Sequence, residues 1–313
     1  MVRIGVDVGG TSTKIGVVDE EGRILSHGSV DTRTDLPFSE QIAQMAACAK
    51  EVLQRSGHTV DEVASIGAGV PGVADPKTGV VVFCTNLGWH NVPFRSEFQK
   101  YFNTPIFIDN DATVAGLAES VAGVSKGADS SVFITLGTGV GGGIIINGKI
   151  WSGAHGVGSE IGHMILELDG EPCTCGNHGC VERYCSATAI IRKARELLLR
   201  HPDSLILEKV DGDPSKINAR TVIDCAREGD AIALKVFRWY VKNLAQAIAS
   251  IIHFLDPEVI VLGGGVCNAG AFLLDAVREE VPHYILFKNL PYSEIRLAEL
   301  GSDAGMIGAA MLS

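Results

Sequence analysis

Long hydrophobic runs are missing from this chain. No stretch of about 18 uncharged apolar residues occurs, and Asp7 interrupts the opening "MVRIGVDVGG" before a signal-peptide core can form. A cytoplasmic protein without a membrane partner is the expectation. Basic clusters are missing as well: 26 Lys and Arg stand against 37 Asp and Glu, a net charge of −11. Binding a phosphate backbone needs clustered cations, so nucleic acid is not an expected partner. There is no Pro/Ser-rich linker, and no G-x-x-x-x-G-K-[ST] sequence, which excludes a P-loop. Aromatic residues are only 6% of the chain, whereas glycine, at 37 of 313 residues, stands out and has to be explained by position.

The glycines fall at the ends of apolar strands. Apolar residues alternate at Ile4, Val6 and Val8, break at "GGTST", resume at Ile15 and Val17 and turn again at "DEEG". That is the pattern of a three-strand meander. "SSVFITLGTGVGGGIIINGKIWSG" repeats the plan, with Gly137 corresponding to Gly9 and Thr135 to Asp7. A repeat offset by about 128 residues predicts two related α/β lobes, each led by a meander with a phosphate-sized turn, and a site in the cleft between them. The length suits two packed lobes.

Elsewhere, "SEQIAQMAACAKEVLQRSG" reads as a helix and "VASIGAGVPG" as a strand, while "TPIFIDNDATVAGLAE" reads as a strand ending near Asp109 and a helix from about Ala112. Helical periods follow in "ATAIIRKARELLLR" and "DAIALKVFRWYVKNLAQAIASIIHFL". "DPEVIVLGGGV" is a buried strand meeting a glycine turn, and "GSDAGMIGAAML" a terminal helix packing back onto a lobe. Residues 201–220 mix charge, Gly and Pro and read as a surface excursion.

In "DVGGTSTK", Gly9 and Gly10 let backbone N–H groups approach a phosphate, Thr11 adds a donor, and Asp7 can hold a magnesium ion. "LGTGVGGG" contains G-x-G-x-x-G at Gly137, Gly139 and Gly142, but the strand-like "IIINGK" follows it, whereas a dinucleotide fingerprint must open a helix. Three glycine turns, at 9–10, 137–143 and 263–265, point instead to a nucleotide lying across a cleft. Asn110 and Asp111 fall at a strand-to-helix junction, where Asp is an ordinary N-cap. Phosphoryl transfer to an alcohol also needs a carboxylate there, to accept the hydroxyl proton and orient its oxygen.

Three of the eight cysteines crowd into "CTCGNHGC", which suits a metal site better than a disulfide framework. Cys173, Cys175 and Cys180 with His163 make a three-thiolate, one-imidazole set for tetrahedral zinc; His178 and Cys185 are rival ligands, and spacing does not choose between His163 and His178. Four protein ligands would make the metal structural, with no open position for water. Cys48, Cys84, Cys225 and Cys267 lie in apolar contexts and read as buried small hydrophobes.

Together, "VDVGGTSTKIGVVD", "GVPG", "NLGW", "DNDA", "LGTGVGGG", "GSEIGH", "CTCGNHGCVE" and "DPEVIVLGGGV" resemble the ROK family, the sugar kinases of the actin-like ATPase fold, from the first residues to the last. The resemblance implies an α/β, two-lobed actin-like ATPase (ribonuclease H-like) fold with the active site in the interlobe cleft. Its small lobe would be residues 1–113 with a terminal helix at about 300–313, and its large lobe 114–299 with the zinc loop. It implies ATP and Mg2+ at Asp7, Gly9, Gly10, Thr11, Gly137, Thr138 and Gly139, with Gly264 and Gly265 near the adenosine. Asp111 matches the family's general base; Glu160, His163 and Glu182 match its sugar-hydroxyl ligands, joined by Asn110, Gly72 and Asn86. His163, Cys173, Cys175 and Cys180 match its zinc ligands, which favours His163 over His178, while Lys14 has no family role. If one imidazole nitrogen binds zinc, the other is left for a sugar hydroxyl, and the metal pins the loop carrying Glu182. Zinc is then expected to hold the sugar site without touching the phosphate chemistry.

The resulting expectation is a kinase of the glucokinase branch, phosphorylating the 6-hydroxyl of glucose with ATP. An N-acetylglucosamine or N-acetylmannosamine kinase carries nearly the same polar set. Sugar-responsive repressors of the family carry an N-terminal DNA-binding segment, and no helix-turn-helix precedes the first strand here. A catalytically idle sugar-binding protein would not need Asp7, Asp111 and both phosphate turns. The resemblance implies a homodimer, for which no heptad or apolar patch is legible.

Overall fold

The apolar alternation at the start of the chain forms three antiparallel strands, β1 (Val2–Val8), β2 (Ser12–Val18) and β3 (Ile24–Asp31). The structure is a computed structural model that describes residues 1–313. Helix α1 (Phe38–Arg55) follows; it buries Ile42, Met45, Ala46, Ala49, Val52 and Leu53, which the 3.6-residue period puts on one face. β4 (Val63–Val70) runs parallel to β1. A small antiparallel sheet comes next, β5 (Val73–Asp75), β6 (Val80–Cys84) and β7 (Trp89–Val92), which the sequence reading did not anticipate. α2 (Phe94–Phe98) leads to β8 (Ile106–Asn110), which pairs parallel with β4 and completes the order β3-β2-β1-β4-β8. α3 (Asp111–Ala122) starts directly from β8.

The second meander is β9 (Ser130–Leu136), β10 (Val140–Ile146) and the short β11 (Lys149–Ile150). Helices α4 (Glu182–Cys185), α5 (Ala187–Leu198), α6 (Leu205–Glu208), α7 (Ala219–Arg227) and α8 (Ala231–Leu255) precede β12 (Val259–Gly263). α9 (Ala271–Glu280), β13 (Glu294–Leu297) and α10 (Ala304–Ala310) finish the chain. The second sheet has the order β11-β10-β9-β12-β13. No helix is long and apolar enough to cross a membrane.

Two compact units result: residues 1–133 with 143–159 and 298–313, and residues 134–142 with 160–297. The division expected at 113/114 and 299/300 therefore falls elsewhere. α3 and the hairpin at 143–159 stay with the first unit because Val114 and Leu117 share a core cluster with Ile145 and Leu312, with Ile150 packed against it. α10 also belongs to the first unit, where it buries Met306, Ile307, Ala309 and Ala310. Full burial is worth about 1.5–3 kcal/mol for a Met or Ile side chain. Glycine permits this close approach: a Cβ at Gly5 or Gly67 would fall on the α10 backbone, and one at Gly308 on that of α3. Glu119 is fully buried, and its carboxylate accepts backbone N–H bonds from Val124 (3.0 Å), Glu299 (3.1 Å) and Leu300 (3.0 Å). The incoming C-terminal segment is thereby tied to the end of α3.

Two expectations need correction. Residues 201–220 are not wholly a surface excursion: they include α6, with Ile206, Val210 and Ile217 buried. Ser204 Oγ and Leu205 N bind the carboxylate of Asp230, the N-cap of α8, at 3.0 and 2.9 Å. Cys48, Cys84 and Cys225 are buried, but Cys267 is only partly so, and its thiol donates to the Gly263 carbonyl at 3.1 Å.

Candidate functional site

In the first unit the turn after β1 is fastened from behind. Gly9 N donates to Ser12 O (3.1 Å), while the Gly9 and Thr11 carbonyls accept from the Thr32 hydroxyl (2.7 Å) and the Thr32 N–H (2.9 Å). Asp7 lies one residue before the end of β1, opposite Lys14 in the ladder. Burial, and secondarily the charge of Asp111, push its carboxyl up to about 6, with Lys14 acting in the other direction. Lys14 itself donates to the Ser302 carbonyl at 2.8 Å, so it anchors the C-terminal segment. Gly305 was missed by sequence reasoning: a Cβ there would lie 2.6 Å from Asp7 Cγ, a closeness that no local pattern signals.

At the β8–α3 junction Asn110, not an aspartate, is the N-cap. Its Oδ1 accepts from Ala112 N (2.9 Å) and Thr113 N (3.2 Å), and its Nδ2 donates to the Gly72 carbonyl at 3.0 Å. That use of both ends fixes the amide orientation and leaves one N–H for a ligand. Asp111 is then the first helical residue, a carboxylate at the positive end of the helix, partly exposed, with Oδ1 accepting from Ala112 N at 2.8 Å. Asn86 is exposed in the short turn at 85–87, and a Cβ at Gly10 would lie 3.7 Å from its Cβ. Asp109 was also missed. It is buried, which pushes its carboxyl up to about 6, and it lines a cavity of about 480 Å³ with Pro76, Phe107 and Met311.

The remaining candidates lie in the second unit. Gly264 packs against the backbone of Leu136, so the turn at 263–265 sits beside the one at 137–139. The second turn is held by the residues that follow the cysteine knuckle. The Gly137 carbonyl accepts from Ala187 N (2.7 Å) and the Thr138 carbonyl from the Thr188 hydroxyl (2.9 Å), and Val140 N donates to Glu182 Oε2 (3.1 Å). Glu160 starts the turn Ile161–His163 and accepts His163 N at 3.0 Å, and Gly162 packs on the backbone of Val140. Glu160, His163 and Glu182 are thus arranged around one residue of β10.

His163, Cys173, Cys175 and Cys180 bring their ligand atoms within 4.8 Å of one another. Cys175 and Cys180 sulfurs are 3.6 Å apart, and Cys173 sulfur is 3.7 Å from His163 Nδ1. A tetrahedral zinc with ordinary bond lengths has edges of about 3.5–3.8 Å, so the set fits. Nδ1 faces the thiols, leaving Nε2 on the far side of the ring. Burial and the neighbouring thiols push Cys180 up to about 12, and a cation is what would keep it a thiolate. His178 is exposed and Cys185 fully buried, and both lie outside the cluster. The segment that starts at Cys180 carries Glu182 and also fastens the turn at 137–140.

A model of the ROK family matches residues 3–313. A glucokinase of Thermotoga maritima is 38% identical over 310 residues, 99% of this chain and 96% of the relative. Among solved structures, a ROK family glucokinase from Streptomyces griseus in complex with glucose and AMPPNP matches with a TM-score of 0.83 at 34% identity, covering 100% of this chain and 99% of that one. A ROK hexokinase from Thermus thermophilus matches with a TM-score of 0.86 at 31% identity, covering 99% and 97%.

Proposed function

This chain belongs to the ROK family and has its actin-like ATPase fold, and we propose that it is an ATP-dependent hexose kinase, a glucokinase transferring the γ-phosphoryl group to the 6-hydroxyl of glucose. The observation that carries the reading is the match along 100% of this chain to a glucokinase holding both glucose and AMPPNP. In this reading Asp111 accepts the hydroxyl proton and aims the oxygen at the γ-phosphorus. Glu160, His163 through Nε2, Glu182 and Asn110 orient the ring, with Asn86 and the Gly72 backbone completing the sugar contacts. The N–H groups of Gly10 and Thr11 and of Thr138 and Gly139 meet the phosphates, those of Gly9 and Gly137 being taken by the carbonyls of Ser12 and Gly139 inside their own turns, and Gly264 and Gly265 border the adenosine.

Magnesium would neutralise phosphate charge at Asp7; burial is the main cause of the raised Asp7 pKa and the charge of Asp111 adds to it, and a divalent cation would relieve that added repulsion. Zinc, when bound, supplies a fixed frame for the loop rather than reaction chemistry. A homodimer is part of the same reading. Phe254, Leu286, Phe287 and Leu290 are exposed, and Leu286 N donates to His253 beside Phe254, so an apolar surface is available. A purely monomeric sedimentation profile would remove that element.

ATP-dependent ADP release tests the proposal, with glucose, N-acetylglucosamine and N-acetylmannosamine in parallel. Selective turnover of glucose is expected. Turnover only with an acetylated sugar would keep the chemistry and move the substrate, and no turnover with any sugar would end the kinase reading. Asp111→Asn should lower kcat by about 100-fold or more while sugar binding persists.

A further inference from the structure

The two glycine turns paired by the sequence repeat are fastened in the same manner. At the first, Thr32 gives its hydroxyl to the Gly9 carbonyl and its N–H to the Thr11 carbonyl. At the second, Thr188 gives its hydroxyl to the Thr138 carbonyl, while the N–H of the adjacent Ala187 goes to the Gly137 carbonyl. Each turn therefore has two carbonyls held from outside it, one by a threonine hydroxyl and one by a backbone N–H of that threonine or its neighbour. The supports come from different elements: Thr32 follows β3, and Thr188 lies in the first turn of α5.

A trans peptide is planar, so its C=O and N–H point in opposite directions. Holding the Gly9 carbonyl aims the Gly10 N–H away from Thr32, and holding the Gly137 and Thr138 carbonyls aims the N–H groups of Thr138 and Gly139 away from α5. These are donors that the kinase reading assigns to phosphate. The Thr188 hydroxyl has one hydrogen, and it goes to Thr138. Ser186 Oγ, 2.8 Å away, must then donate to Thr188 Oγ1 while it accepts from Ala189 N at 3.1 Å, which orients the hydroxyl from behind. Phosphate oxygens accept and do not donate, so Thr188 has nothing left to offer them and acts through the turn. Thr13 stands in the place of Ser186 at the first turn, its Oγ1 3.3 Å from Thr32 Oγ1.

We propose that Thr188 is a positioning residue for the nucleotide phosphates, with Thr32 as its counterpart at the other turn; this rests on the kinase reading above. The test uses the zinc-loaded full chain carrying Thr188→Val or Thr188→Ser. The ATP KM at saturating glucose, the glucose KM at saturating ATP, AMPPNP binding and thermal melting are measured for each. Loss of one neutral hydrogen bond should raise the ATP KM and the AMPPNP Kd about 3- to 10-fold. The glucose KM and the melting temperature should stay close to wild type, and serine should restore most of the loss. Thr32→Val should act in the same direction.

A valine variant with wild-type AMPPNP affinity would overturn the assignment, as would a serine variant no better than valine or an equal loss for both substrates. Wild-type protein that phosphorylates no sugar would instead sink the kinase reading. AMPPNP binding by the variants would still decide the role of Thr188, and a wild type that binds no AMPPNP would end both.

Discussion

Replacing Gly139 with alanine should weaken hexose use through a residue far away in sequence. An alanine Cβ at this position would sit 3.3 Å from Glu182 Cδ and closer still to Oε2, with nothing else within 4 Å. Gly139 does not have a left-handed φ, so backbone strain adds nothing. The carboxylate end is the flexible part and has to swing, but Val140 N holds it at 3.1 Å. Moving it breaks a hydrogen bond to a charged group, worth about 1.5–3 kcal/mol, and takes the carboxylate off the direction in which it would meet a sugar hydroxyl. One such bond lost in the transition state corresponds to about a 10- to 150-fold fall in kcat/KM for glucose. Glu182 is partly exposed, so stability should change little. The assay is steady-state kinetics with glucose varied at saturating ATP, for Gly139→Ala, Glu182→Gln and the double variant. If the clash acts through Glu182, the double variant should lose much less than the two single losses multiplied. An unchanged glucose kcat/KM, or losses that simply multiply, would refute the reasoning.

Three further outcomes follow from the packing and the electrostatics. Asp109 titrates near 3.8 unfolded and about 6 folded because of burial, so the folded chain holds a proton that the unfolded chain releases, and stability falls as pH rises through that window. Asp109→Asn should remove that slope and add on the order of 1–3 kcal/mol at pH about 7.5 with little change at pH about 3; urea denaturation at the two pH values checks it, and equal stabilities at the higher pH would contradict it. Gly67→Ala drives a methyl into the backbone at Ala309 and should destabilise at or above the top of the usual 1–3 kcal/mol range, roughly, for overpacking, which a lowered urea midpoint would show. Cys175→Ala should lower zinc content and weaken both glucose and AMPPNP binding, because the segment beyond Cys180 carries Glu182 and fastens the turn at 137–140; titrations that showed nucleotide affinity untouched would instead bear out the separation expected from sequence.

Much of the framework was legible because it is local. Apolar alternation in residues 2–18, the apolar runs either side of a glycine turn in 130–146, and the helical periods of α1 and α8 are properties of neighbouring side chains and survive without tertiary information. The small sheet β5-β6-β7 was not legible: "VAD" is too short to show a period, and "VVVFC" does not alternate. Nor was the burial of Ile206, since a polar, Gly- and Pro-containing stretch hides a single anchoring side chain.

The site divides along the same line. Residue chemistry and spacing pointed to the three glycine turns and the thiol cluster, because C-x-C near a third cysteine is informative wherever it folds, and placed Asp111 at a strand-to-helix junction, where an aspartate is also an ordinary cap; its general-base role came from the family resemblance. Spacing left His163 and His178 open and the family resemblance implied His163; the tertiary structure gathers His163 with the three thiols and leaves His178 outside, and it alone makes Asn110 the cap so that Asp111 opens the helix, and buries Asp109. Only it brings Thr32 to Gly9, Thr188 to Thr138 and Glu182 to Val140. Hydrogen-bond partners far apart in sequence, burial and backbone approach depend on how strands and helices pack, and a sequence records the donors and acceptors without recording which of them meet.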